Sequence, residues 1–66
     1  MNKIRGYRVM IGLTQEAMAD KLGITKQAYS LKELGKSPFK DRERLIIRGL
    51  VREIKPDITI DELFYS

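Results

Sequence analysis

Apolar positions recur at helical spacing in five segments, and short polar or glycine-containing stretches separate them. Ile4, Tyr7 and Ile11 fall at i, i+3 and i+7, with Met10 beside them, and predict a first helix over residues Asn2 to Ile11. Met18, Ala19 and Leu22 fall at i, i+1 and i+4 and give a second helix one apolar face. Tyr29 is the first large inward residue of a third. A fourth helix, Asp41 to Ile54, carries Leu45, Ile46, Leu50, Val51 and Ile54 on its apolar face, with Ile47 at the margin. In a short fifth helix that ends at Phe64-Tyr65, Ile60, Leu63 and Phe64 are placed to cover the core.

The residues between these runs are helix punctuation. Gly12 ends the first helix, and Leu13 packs under the next. The stretch from Gln15 to Gly35 then reads as two short helices with a sharp turn between them. The Thr14 hydroxyl is placed to accept from an unpaired N–H of the second helix, and Thr25 to do the same for the third. Gly23 stops the second helix where positive φ is needed, and Ile24 plugs the corner. Ala19 is small where the two helices touch. Gly35 closes the third helix in a left-handed cap, and Pro38 keeps Ser37 out of helical geometry. Lys55-Pro56-Asp57 terminates the fourth helix, and Thr59 with Glu62 forms a capping box for the fifth. Gly6 weakens the first helix. Gly49 falls inside the fourth, where close approach of another backbone accounts for it. The expectation is an all-α, compact five-helix domain spanning residues 1–66 as one unit.

Composition narrows the chemistry. Sixty-six residues without cysteine or histidine offer no disulfide, no thiolate and no imidazole. No catalytic residues, metal ligands or cofactor are expected, and Asp57, Asp61 and Glu62 read as loop and cap residues. No run approaches the ~20 apolar residues of a membrane span, and Arg5 and Arg8 break the only leader-like start. A soluble, cytoplasmic protein without membrane contact is expected. Charge is uneven. Residues 1–40 hold eight Lys or Arg against three Asp or Glu, a net of +5; residues 41–66 hold five against six, a net of −1. The basic excess therefore lies on the half that holds the sharp turn, as attraction to phosphates requires. Arg42, Arg44, Arg48 and Arg52 line much of the rest of the fourth helix. They form either a solvated face or a second surface for phosphate or an acidic partner.

The order Gly12-Leu13-Thr14-Gln15, Ala19, Leu22-Gly23-Ile24, then Glu33 and Gly35-Lys36, preceded by Ile4, Tyr7 and Arg8, resembles the Cro and phage-repressor family, the Xre-like helix-turn-helix domains. TIDELF near the end is similar to that family's last helix. The resemblance implies a lambda-repressor-like fold and double-stranded DNA as partner. It also implies a structural ion pair between Arg8 and Glu33 and binding as a symmetric dimer. The sequence departs from the family in one place. Lys32 stands where a second apolar residue is usual after Tyr29, and Leu31 and Leu34 stand where polar residues are usual.

In a helix-turn-helix the N-terminal residues of the third helix face base edges. Lys26 and Gln27 lead, the lysine suited to guanine O6 and N7 and the glutamine to adenine N6 and N7. Thr25 opens this surface, Ser30 follows one turn later, and Leu31 is placed to touch a thymine methyl. Gln15, at the N-terminus of the second helix, is assigned to a phosphate, and Lys36 and Ser37 to the backbone beyond; the family resemblance agrees for Gln15, Lys26 and Gln27. A homodimer would form through the C-terminal helices, where Ile58, Phe64 and Tyr65 exceed what a small core needs. The alternative keeps the fold and changes the partner: Leu31 and Leu34 dock another protein, and the chain acts as an antirepressor on a second regulator.

Overall fold

The computed structural model describes residues 3–65. The regular structure among them is five α-helices: α1 (Ile4–Ile11), α2 (Gln15–Leu22), α3 (Lys26–Glu33), α4 (Asp41–Val51) and α5 (Ile60–Phe64). Asn2, the expected start of the first helix, lies outside the described residues. None of these helices is long and apolar enough to cross a membrane.

The local signals act as their chemistry dictates. Thr14 Oγ accepts from the Ala17 N–H at 3.0 Å, Thr25 from Ala28 at 3.1 Å and Thr59 from Glu62 at 3.2 Å, each satisfying a first-turn donor that the helix itself cannot. α2 and α3 end alike. Gly23 (φ 71°) and Gly35 (φ 82°) adopt the left-handed conformation. The next residue's N–H then reaches back to a carbonyl five residues earlier, Ile24 to Ala19 and Lys36 to Leu31. That pairing satisfies carbonyls otherwise left open at a helix end. α1 closes in the same way at Gly12.

The core joins all five helices and the loop before α4. Ile4, Met18, Ala19, Leu22, Tyr29, Phe39, Ile47, Val51, Ile58 and Leu63 are buried together. Ala19 of α2 is 1% exposed, and α2 packs against α3. Phe39 bridges Tyr29 and Phe64 edge-on, with ring centroids 6.1 and 5.4 Å apart, a geometry that sets ring edges against π faces.

α4 differs from the sequence expectation. Its helix stops at Val51 and continues as a tight turn, in which Glu53 and Ile54 donate to carbonyls three residues back. Ile47 is the centre of the buried face, not its margin, because Glu43, Ile47 and Val51 form one i, i+4 row against the core. Leu45, on the opposite side, is 60% exposed, and Ile54 lies beyond the helix and is 43% exposed. Met10 of α1 is also exposed. Gly49 has no neighbour within 4 Å of where a Cβ would stand, so no close backbone explains it. Ile58 is fully buried and Phe64 packs on the core, which leaves Tyr65 as the exposed member of that trio.

The arginines of α4 are not simply a solvated stripe. Arg42 Nη2 donates to the Leu22 carbonyl at 2.6 Å, closing the end of α2 where positive charge is favoured. Arg44 donates to the Phe39 carbonyl and to Asp41. Arg48 Nε donates to the Ile58 carbonyl at 3.2 Å, holding the segment that leads into α5. Arg52 is exposed.

Candidate nucleic-acid interface

α3 has two faces of opposite character. Tyr29, Lys32 and Glu33 turn inward, whereas Lys26, Gln27 and Leu31 are exposed and Ser30 is half-buried. The polar inward residues are accommodated because each has partners. Glu33, 6% exposed, is the hub of the first cluster. Arg8 grips it through Nε at 2.8 Å and Nη2 at 3.2 Å, the Tyr29 hydroxyl donates at 2.6 Å, and Gln15 Nε2 donates at 3.1 Å. Arg8 also donates to the Leu13 carbonyl at 2.8 Å. One carboxylate thus ties α1, α2 and α3 together in a two-pronged guanidinium pair. Burial opposes the charge on Glu33, but the bonds from Arg8, Tyr29 and Gln15 outweigh it and hold its pKa below the ordinary value. The bond to Glu33 raises the Arg8 pKa, and burial followed by the bond to Glu33 raises that of Tyr29.

Lys32, which occupies the position where the family usually has an apolar residue, forms the second cluster. Its Nζ donates to Glu43 Oε1 at 2.6 Å, and the same oxygen accepts the Lys40 backbone N–H at 2.9 Å. Glu43 is 1% exposed. Burial again opposes its charge, and the bonds from Lys32 and the Lys40 N–H prevail and lower its pKa. The apolar stem of Lys32 therefore lies inside while its charge is matched, and α3 is pinned to the start of α4 across the loop that carries Lys36 and Ser37. In the sequence, the only sign of this pair is a lysine at an inward register. Its partner eleven residues on, beyond a loop, carries no periodic cue.

The outer face gathers most of the residues expected to bind. Gln15, Lys26, Gln27, Ser30 and Leu31 line one open concavity of about 420 Å³. Gln15 and Lys26 also border a second, with Arg8, Thr14 and Glu16, at the N-terminus of α2. Gln15 spends one amide hydrogen on Glu33, so its orientation is set by a buried anion, and its second N–H remains for an outside acceptor. Thr25 is exposed at the head of α3, with its hydroxyl oxygen engaged in the cap. Lys36 is exposed in the turn after α3. Ser37 lines a separate depression with Lys32, Pro38, Phe39, Arg44 and Phe64, away from the Lys26–Gln27 concavity. Leu31 and Leu34 are 47% and 61% exposed.

Residues 4–40 match the helix-turn-helix family model. Over 58 residues the chain is 41% identical to an uncharacterized HTH-type transcriptional regulator of Methanothermobacter thermautotrophicus, an overlap of 86% of this chain and 84% of that relative. No solved structure was found to match the chain.

Proposed function

The chain belongs to the Cro and phage-repressor (Xre-like) helix-turn-helix family, and from that premise we propose that it is a cytoplasmic, sequence-specific regulator of transcription, with residues 1–66 acting as one DNA-binding domain and α3 in the major groove. The observation that carries this reading is the shared outer surface of Gln15, Lys26, Gln27 and Ser30, held rigid from beneath by the Glu33 and Glu43 clusters. Lys26 and Gln27 supply base-edge hydrogen bonds and Gln15 a phosphate contact, with Lys36 and Ser37 following the backbone beyond the groove. A single module of this size contacts few bases, so two copies joined through α4 and α5, where Leu45 and Tyr65 are exposed, would read a two-fold symmetric site. Its action is ligand binding without catalysis and without a cofactor.

Selection of bound sequences from a random duplex pool tests the reading. A two-fold symmetric consensus is the expected result, and Lys26→Ala or Gln27→Ala should each relax one position of it. A pool that shows no enrichment over input at low salt overturns it. The exposure of Leu31 and Leu34 favours one second reading, in which α3 docks on another regulator and the protein acts as an antirepressor. That reading gains if the pool stays unenriched while a repressor is bound and Leu31→Lys abolishes the complex.

A further inference from the structure

Leu31 has no polar function to perform, yet it occupies the same concavity as Lys26, Gln27 and Ser30, with nearly half its surface open. Resting on the DNA reading above, we infer that Leu31 is a specificity residue: it selects a thymine through the C5-methyl group, about two base steps from the base contacted by Gln27. Gln27 and Leu31 are four residues apart on one face of α3. Their separation along the helix is about 6 Å at 1.5 Å per residue, and successive bases rise about 3.4 Å along a strand. In the major groove thymine presents a methyl group and an acceptor, whereas cytosine presents an amino donor and no methyl. A leucine gains by covering the methyl. Over cytosine it covers an amino group to which it offers no acceptor, and that group loses its water. The gain from one methyl is about fourfold in affinity, the size of one buried carbon's transfer from water. Leu34, at the end of α3, follows Leu31 by three further residues and is more exposed still.

Deoxyuridine differs from thymidine only by that methyl group, so it isolates the contact. Starting from the selected site, each thymine is replaced singly by deoxyuridine, and affinities are measured for the wild-type protein and for Leu31→Ala, whose helicity is checked by circular dichroism. One thymine in each half-site should show a loss of about fourfold with wild type and none with Leu31→Ala. It should lie about two steps from the position that Gln27→Ala relaxes. A selected site at which every replacement is silent, or at which the loss survives in Leu31→Ala, overturns this inference and leaves the DNA reading intact. A protein that selects no duplex, with Leu31→Ala weakening a complex with a repressor instead, overturns both.

Discussion

At the scale of single residues, two buried carboxylates stand in the core where apolar side chains are usual. Glu43 is 1% exposed and is matched by Lys32 and by a backbone N–H. Removing one partner leaves a buried charge without compensation, which costs about 3–5 kcal/mol. Lys32→Ala should therefore lower the unfolding free energy measured in urea by that much. The double variant Lys32→Met with Glu43→Gln should regain most of the loss, since the amide oxygen still accepts from Lys40 and the charges are gone. Acid should act at the same places. The pKa values of Glu33 and Glu43 are lowered on folding from an ordinary 4.5. Their stabilising effect is complete above 4.5 and is lost as pH falls through the folded values. Melting temperature is expected to hold from about pH 7 to about 5 and decline below. The double variant should decline less steeply, because one of the two carboxylates is absent.

At the scale of helices, the chain uses glycine in two ways that substitution separates. Gly23 stands at φ 71° between α2 and α3, where a Cβ costs about 1–2 kcal/mol. Gly49 lies within α4, facing open space, where alanine gains about 1 kcal/mol. Thermal melts should show Gly23→Ala less stable than the parent and Gly49→Ala more stable. A destabilised Gly49→Ala would mean that α4 meets something at that position. The arginines of α4 belong to this scale as well. Arg42 and Arg48 join elements by donating to carbonyls of Leu22 and Ile58, so replacing them should loosen the ends of α2 and α5 before it alters any binding surface.

For the molecule as a whole, the number of cations overstates how many face a polyanion. The chain carries thirteen Lys or Arg, but Arg8 and Lys32, two of the cations in its basic half, are buried against Glu33 and Glu43, in neutral pairs that leave the net charge of +4 as it was. The cations that remain exposed around α3 include Lys26 and Lys36. Binding to duplex should weaken steeply with salt, and each phosphate left without its cation should reduce the slope of log affinity against log salt by about 0.9. Gln15→Ala, which removes a neutral donor, should weaken binding to all sequences alike and leave the slope almost unchanged. Lys36→Ala should flatten it by the equivalent of about one phosphate. A slope that responds to Arg42→Ala and not to Lys36→Ala would move the phosphate surface to α4.

What the residues determined by themselves was local. Thr14, Thr25 and Thr59 cap helices and Gly23 and Gly35 end them because both devices act within five residues along the chain, where spacing in sequence is spacing in space. The inward set Met18, Ala19, Leu22 and Tyr29, and the outward set Lys26, Gln27 and Leu31, follow from the helical period for the same reason. Only the tertiary structure decided which face of α4 is buried. A register centred on Leu45 and one centred on Ile47 cannot be told apart when Leu45, Ile46, Ile47, Leu50 and Val51 give apolar character to most of the circumference, and docking against α1, α2 and α5 makes the choice. It also decided that Lys32 meets Glu43 and that three α4 arginines meet carbonyls. Long charged side chains reach across loops to partners whose positions exist only once the helices have packed.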